Sequence, residues 1–173
     1  ADILVEGKGN DLLINPPNLE VVRDFRNVGL QIPANNTLAL LGGNLNLSGG
    51  NLSSEAGRIE LGSTAETGVV SLIPTDDGFT FDYENINLFG DINLTQASSI
   101  DVSGNRNGNL QLQAGNIALA DNSMILANTL GSGSGEEINI FATDSITIVG
   151  GELNPQFPVV TGIYNQLNSS ATG

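Results

Sequence analysis

The sequence predicts an all-β fold, a parallel β-helix (β-solenoid) with three short strands in each coil. Three observations support this prediction: apolar residues alternate in three-residue stretches, these stretches recur at a short spacing, and turn-forming residues separate them. The 173 residues include 22 glycines, and no long stretch combines helix-forming residues with a helical period. We therefore expect many short strands and turns around one core.

The repeated unit is a triplet in which two apolar residues flank a third residue. Since side chains alternate between the faces of a strand, the flanking residues are predicted to point inward and the middle residue outward. The triplets form groups whose first members begin at residues 38, 59, 86, 110 and 138. In the last three groups, the second members begin at residues 92, 117 and 146, and the third members at 100, 125 and 163. This period of 20 to 30 residues predicts about five or more coils.

Coils of this kind stack so that each strand pairs in parallel with its equivalent in the next coil, about 4.8 Å away. Gly followed by Asn or Asp precedes several triplets, for example at Gly43-Asn44 and Gly115-Asn116. This pattern suits corners, because Gly adopts positive φ freely and Asn side chains bond to nearby backbone groups. Equivalent asparagines of successive coils could also form side-chain ladders. A β-sandwich is the alternative fold, but its strands are usually longer, at about five to six residues.

The two ends of the chain depart from the regular repeat. Residues 1–33 are predicted to form less regular coils, with Asn15-Pro16-Pro17-Asn18 as a protruding turn, because prolines interrupt a hydrogen-bond ladder. Residues 34–149 hold the regular coils, and residues 150–173 are predicted to form a coil with an insertion. We expect residues 1–173 to form a single solenoid segment that is a fragment of a much longer protein.

Two loop excursions are predicted to leave the regular wall of the solenoid. The first lies near residues 74–85 and carries Phe79, Phe81 and Tyr83, which we expect to fold against a sheet. The second lies near residues 150–161 and is rich in proline. Because loops on a rigid scaffold often carry function, these two excursions are the candidate regions for binding a glycan or another surface.

The composition argues against several classes of function. Five Lys or Arg residues oppose nineteen Asp or Glu residues, and the five cations do not cluster, so neither nucleic acid nor an anionic membrane is an expected partner. The chain has no Cys and no His, which removes thiol catalysis, the Ser-His-Asp triad and the usual haem and zinc ligands. No apolar run reaches the roughly 18 residues of a membrane helix, so we expect no membrane insertion.

Acidic residues give two further hypotheses. Asp76, Asp77, Asp82 and Glu84 could hold Ca²⁺, although their spacing matches no EF-hand loop and a solvated acidic loop is the alternative. Paired carboxylates could also act on a polysaccharide, as in glycosidases. The remaining carboxylates, however, do not fall at one shared coil position; they include Asp91, Asp101, Asp121, Glu136, Glu137 and Asp144. We therefore assign no catalytic, cofactor-binding or metal residues and expect no enzyme activity.

Several segments resemble a known family. The stretch VGLQIPANNTLALLGGNLNLSGGNLSSEAGRIELGS (residues 28–63), followed by INLTQASSIDVSG and MILANTLGSGSG, resembles exoproteins of the filamentous-haemagglutinin type, notably their cyanobacterial members. These exoproteins are secreted by the two-partner route: an outer-membrane barrel transporter recognises an N-terminal secretion domain, and a right-handed parallel β-helix shaft follows. The resemblance covers nearly the whole chain.

The resemblance implies that this chain is a β-helical segment downstream of the secretion domain. Asn15-Pro16-Pro17-Asn18-Leu19 only approximates the Asn-Pro-Asn-Leu motif of the secretion domain, so no transporter-binding role is assigned to it. The implied function is a structural or adhesive shaft module of a secreted or cell-surface exoprotein, with the transporter as partner of the full-length protein. Surface glycans and other cells are further candidate partners. The alternative is a polysaccharide-binding or polysaccharide-processing β-helix protein.

Overall fold

The computed structural model describes residues 1–15, 20–22, 29–76, 78–151 and 160–167. Over these residues the chain is all-β, with sixteen strands and no helix. In chain order the strands are β1 (Ile3–Glu6), β2 (Leu13–Asn15), β3 (Glu20–Val22), β4 (Leu30–Ile32), β5 (Thr37–Gly42), β6 (Leu45–Ser48), β7 (Asn51–Ser54), β8 (Arg58–Ser63), β9 (Ser71–Thr75), β10 (Gly78–Asp82), β11 (Ile92–Thr95), β12 (Ser99–Asp101), β13 (Asn109–Leu119), β14 (Met124–Leu126), β15 (Ile138–Ile148) and β16 (Gly162–Tyr164).

The parallel strands form three series, which we call the first, second and third faces. The first face consists of β5, β8 and the first halves of β13 and β15. The second face consists of β1, β6, β11 and the second halves of β13 and β15. The third face consists of β4, β7, β12, β14 and β16. Because β13 and β15 contribute to two faces, the first and second faces join in one seven-stranded sheet. The predicted parallel arrangement of short strands is confirmed.

The strand register confirms the predicted equivalence of most triplets. Ile92 pairs with Leu45 on one side and with Ile117 on the other. Ile100 pairs in the same way with Leu52 and Ile125. The flanking residues of these triplets are buried, as the alternation predicts. They form one continuous core: Leu38, Leu45, Leu47, Leu52, Ile59, Leu61, Ile92, Leu94, Ile100, Val102, Leu110, Leu112, Ala114, Ile117, Leu119, Ile125 and Ala127.

One predicted group of triplets is wrong. The segment Ile86-Asn87-Leu88 forms no strand, and Leu88 is exposed. The ladder position next to β8 is taken by β13, since Ile59 pairs directly with Leu110. The group that contains Ile92 therefore begins at Ile59, and residues 64–91 make a long excursion between the first and second faces. Local alternation cannot reveal this, because it carries no information about which strand occupies the neighbouring position.

The described residues contain two antiparallel strand pairs, besides an isolated antiparallel bridge between Glu6 and Gly49. β9 and β10 form a hairpin over residues 71–82, which overlaps the excursion predicted near residues 74–85. β2 and β3 form a second antiparallel pair around the predicted proline turn, whose residues 16–19 lie outside the described residues. Most of the excursion predicted at 150–161 lies outside them as well. Among the described residues, no helix is long and apolar enough to cross a membrane.

Glycine is required where two corners touch. A Cβ atom on Gly108 would lie 1.9 Å from the carbonyl oxygen of Gly57, so the corner that precedes β13 packs backbone to backbone against the corner that precedes β8. The expectation of positive φ at the Gly-Asn corners is wrong for Gly43 and Gly115, and the turn after β11 instead places Gln96 and Ala97 at φ values of 55° and 57°. Residues other than glycine are uncommon at positive φ. The strands β11 and β12, which flank this turn and are paired on both sides, hold it in place.

Candidate functional site

The hairpin of β9 and β10 is fixed to the outer side of the first face by Glu60. Glu60 is the middle residue of its triplet and points outward, yet the hairpin leaves it only 1% exposed. Its carboxylate accepts hydrogen bonds from the backbone N–H of Phe81 at 3.2 Å and the hydroxyl of Thr80 at 3.3 Å. The guanidinium of Arg58 pairs with the same carboxylate at 3.0 Å. A buried carboxylate needs such partners, because its desolvation is otherwise costly.

A second strand of the first face holds the hairpin too. Gln111 of β13 is the register partner of Glu60 of β8. Its side-chain amide donates to the carbonyl oxygen of Phe81 at 3.0 Å, and its side-chain oxygen lies 3.2 Å from the hydroxyl of Thr80. The outward N–H and C=O of Phe81 are thus bonded to two different strands. We call Arg58, Glu60, Thr80 and Gln111 the hairpin anchor.

Electrostatics around the hairpin anchor follow from burial. The pKa of Glu60 lies above its ordinary value, because desolvation by burial is the largest effect. The Arg58 hydrogen bond, the Phe81 N–H, the Arg58 charge and the Thr80 hydroxyl each act in the opposite direction and offset part of this increase. Burial, and then the Glu60 charge, raise the pKa of Tyr83 far above its usual value. The Tyr83 ring packs edge to face with Phe81 and Phe89, at centroid distances of 6.0 and 5.7 Å. The prediction that the aromatic residues of this excursion fold against a sheet is confirmed for Phe81 and Tyr83, whereas Phe79 is 49% exposed.

A polar ladder runs along the corner between the first and second faces. The Asn44 N–H donates to Asp2 at 2.8 Å, and the Asp91 N–H donates to the Asn44 side-chain oxygen at 2.9 Å. The Asn116 amide donates to Asp91 at 2.9 Å, and the Ser145 hydroxyl donates to Asn116 at 2.8 Å. The Gly-Asn corners therefore take part in a polar ladder, but Asn44 and Asn116 are separated by Asp91, so this is not the ladder of stacked asparagines that the sequence predicts.

The acidic residues considered in the sequence do not assemble into a metal site in the described part of the chain. No group of three or more potential ligands is placed there to hold a metal ion, and Asp77 lies outside that part. Asp82 instead accepts the backbone N–H of Glu84 at 3.1 Å. Other scattered acids have structural partners: Glu136 pairs with Arg106 at 2.6 Å, and Asp101 accepts the N–H of Ser103 at 2.8 Å.

Glu60 is the acid that sequence reasoning missed. Its outward position is predictable from the triplet. The aromatic residues of the following excursion are a signal for its burial, because they can cover an outward-facing residue of a neighbouring strand. The groups that bond to it are Arg58, Thr80 and Phe81, so this carboxylate is bound to basic and neutral groups. Through these contacts the anchor attaches the hairpin to the first face.

Comparison with known proteins gives one match. The family described as the TPS (two-partner secretion) secretion domain matches residues 2–117, which extend from β1 into β13 and include both antiparallel pairs. No curated protein and no solved structure matches the chain. The match confirms the resemblance to two-partner secretion exoproteins, but it corrects one expectation. The segment at residues 2–117 is the secretion domain itself, not a region downstream of it.

The reason for this error is that the secretion domain is built from the same kind of apolar triplet that we attributed to the shaft. Residue 1 and residues 118–173 lie outside the match. A chain with this domain is part of an exoprotein that leaves through the outer membrane, with a transporter there as its partner and an extracellular or cell-surface destination. By the match over most of its length, the chain belongs to the family of TPS secretion domains.

Proposed function

We propose that this chain is the transporter-recognised base of a structural or adhesive shaft, and that its three faces wind into a right-handed parallel β-helix of about five coils. The observation that carries the proposal is the match to the secretion domain, together with the parallel, in-register strands on each face. In such a solenoid each coil covers the open edge of its neighbour, so folding can propagate from one coil to the next.

The exposed edge at β15 supports a shaft that continues beyond it. Ile146 and Ile148 are 48% and 47% exposed, whereas their register partners Ile117 and Leu119 are buried. In the described residues β15 pairs with β13 alone, so its other edge is open to a further parallel strand. A further coil of the exoprotein would cover the two isoleucines and remove apolar surface from water.

Secretion in the presence and absence of the transporter tests the proposal. The chain, provided with an inner-membrane export signal, is co-produced with the transporter encoded beside its exoprotein, and its amount in the medium is measured. We expect release only when the transporter is present, with the released chain resistant to protease. Equal release in a strain that lacks the transporter would show that the chain is not the recognised domain.

We also propose that the module has no enzyme activity and that any glycan binding is non-catalytic. The acid that burial perturbs, Glu60, is covered by the hairpin and paired with Arg58, which supports a structural role. Incubation with a panel of polysaccharides should release neither reducing sugars nor unsaturated uronates. A glycan array with the same protein distinguishes a glycan-binding module from a shaft that binds no glycan. Turnover of any polysaccharide would contradict the proposal that the module has no enzyme activity.

A further inference from the structure

The hairpin of β9 and β10 has two edges, and the first face occupies one of them. Phe81 of β10 directs its N–H and C=O at Glu60 and Gln111, so these two groups point away from β9. Residues that face each other in an antiparallel pair either bond to each other or both direct their backbone groups outward. Leu72 is the register partner of Phe81, so the N–H and C=O of Leu72 point outward at the opposite edge.

Among the residues that the structure describes, that opposite edge is open. In the described part of the chain β9 pairs with β10 alone, and β10 rather than β9 packs against β8. Leu72 and Ile73 are adjacent in β9 and therefore lie on opposite faces of the hairpin, yet they are 58% and 43% exposed. Val69, which precedes β9, and Phe79 of β10 are also exposed. We call Val69, Leu72, Ile73 and Phe79 the β9 patch.

Exposed strand edges are normally protected, because they can pair with another chain. Pro74 gives partial protection, since it lacks an N–H at the next outward-facing position of the edge. The edge at Leu72 has no such protection, and no Lys or Arg occurs in the sequence between Arg58 and Arg106. Apolar side chains on both faces of an unpaired edge, held rigidly by the hairpin anchor, are the features of a strand-pairing surface.

The charge around the β9 patch selects the kind of partner. Asp76 lies in the hairpin turn, Asp82 at the end of β10, and Glu84 and Glu66 in the same excursion. A partner strand with basic side chains complements this acidic rim, and such complementarity also accelerates association. An anionic lipid surface and a second copy of this chain, which carries a formal net charge of −14, would both be repelled.

We propose that β9 is an interaction surface for a cationic β-strand of a protein partner, which pairs with the backbone of Leu72. Apolar side chains of that strand cover Leu72 and Ile73, one on each face of the hairpin, and its basic side chains meet Asp76 and Asp82. Main-chain hydrogen bonds supply the affinity in this mode of recognition, and the alternate side chains supply the specificity. The inference goes beyond the proposed function, because it concerns a surface of the folded domain.

Fluorescence anisotropy with defined peptides tests the surface. The probe is a labelled peptide of alternating Lys and Val. The controls are a peptide of the same sequence with alternate backbone nitrogens methylated, and a peptide of alternating Glu and Val. We expect saturable binding of the first peptide, weaker at higher salt. The methylated peptide should bind at least about tenfold more weakly, as the loss of one or two hydrogen bonds implies. The acidic peptide should not bind.

Two variants locate the site. Leu72→Pro removes the outward N–H without removing a bond between β9 and β10, and Ile73→Asn leaves the backbone intact if the first variant disturbs the hairpin. Each should weaken binding of the Lys-Val peptide, whereas Leu88→Asn, at an exposed apolar residue outside β9, should leave it unchanged. Equal affinity for the methylated peptide, or unchanged affinity in both β9 variants, would overturn the proposal. The proposal would also be overturned if the wild-type chain self-associates and Leu72→Pro abolishes this self-association, because the partner would then be a second copy of the chain.

Discussion

Ile117 lies directly beside Ile92 on the second face, as register partners on parallel strands, and both side chains are fully buried. Ala118, the next residue, is the partner of Asn93 on the outer side of the same two strands. Adjacent residues therefore face a dry core and the outside of the wall, which makes them a matched pair for testing the inward and outward assignment.

Ile117→Asp should be severely destabilising, whereas Ala118→Asp should be nearly silent. A carboxylate in the apolar core would lack partners, so we expect a loss of about 4 kcal/mol or more in the free energy of unfolding. The same carboxylate at position 118 remains hydrated, and its effect should stay within about 0.5 kcal/mol. Urea unfolding measures both, and similar midpoints for the two variants would contradict the assignment.

The pH dependence of stability should carry the signature of Glu60. Burial raises its pKa above the ordinary value of 4.5, so the folded protein binds this proton more tightly than the unfolded chain does. Its contribution is fully present below pH 4.5 and declines as the pH rises through the raised pKa. The stability of the wild type relative to Glu60→Gln should therefore fall with rising pH from about pH 4.5 upward. Urea unfolding of both proteins across this range measures the difference, and a constant difference would contradict it.

The stability contribution of Glu66 should depend on pH in the opposite direction to that of Glu60. The backbone N–H groups of Asn87 and Leu88 donate to its carboxylate and lower its pKa. Its contribution is present above the ordinary value of 4.5 and is lost as the pH falls through the lowered pKa. Stability of the wild type relative to Glu66→Gln should decrease on acidification, and the same titration of unfolding midpoints tests it. A decrease on raising the pH instead would exclude these hydrogen bonds as the cause.

Gly108→Ala should destabilise the protein by about 2 kcal/mol or more. The added methyl group would meet the carbonyl of Gly57 at 1.9 Å, and backbone cannot move aside as a flexible side chain can. Gly150→Ala is the matched control, because a Cβ atom there has nothing within 4 Å. Thermal unfolding should show a lower Tm for the first variant and an unchanged or slightly higher Tm for the second. Equal shifts would indicate that the corners do not pack as closely as described.

Asn116→Asp should cost more stability than Asn116→Ala. Asn116 donates to Asp91 and accepts from Ser145, so alanine loses two ladder hydrogen bonds and about 1 to 2 kcal/mol. Aspartate keeps the acceptor for Ser145 but places a second carboxylate against Asp91, and the repulsion adds to the loss at neutral pH. The excess cost of the aspartate variant should shrink at high salt, where the repulsion is screened. An excess that persists there would exclude repulsion as its source.

The inward faces of the fold are predictable from the sequence because alternation is local. The triplets at Leu45, Ile92 and Ile117 each specify their own buried side, and that is enough to predict parallel stacking once the period is seen. Pairing partners are not local: Ile86 and Leu88 show the same alternation as these triplets, but β13 already occupies the position beside β8. The described residues of 64–91 therefore lie outside the ladders of the three faces, although the alternation of Ile86 and Leu88 predicts a strand there.

The hairpin anchor could be predicted only in part, for a related reason. The triplet of β8 correctly places Glu60 on the outer side of the wall. Its burial, however, depends on Thr80 and Phe81, which follow about twenty residues later, and on Arg58 as its ionic partner. The alternation in β8 therefore predicts that Glu60 faces water, whereas its contacts with the hairpin bury it.

Gln111 gives the hairpin a dependence on chain order. β9 and β10 can pair with each other and bind Glu60 before β13 has folded. The hydrogen bond from Gln111 to Phe81, however, can form only after β13 has paired with β8. Final attachment of the hairpin thus waits for a strand that lies further along the polypeptide. If the chain folds from its N-terminus, the hairpin becomes fully attached only once β13 has been added to the first face.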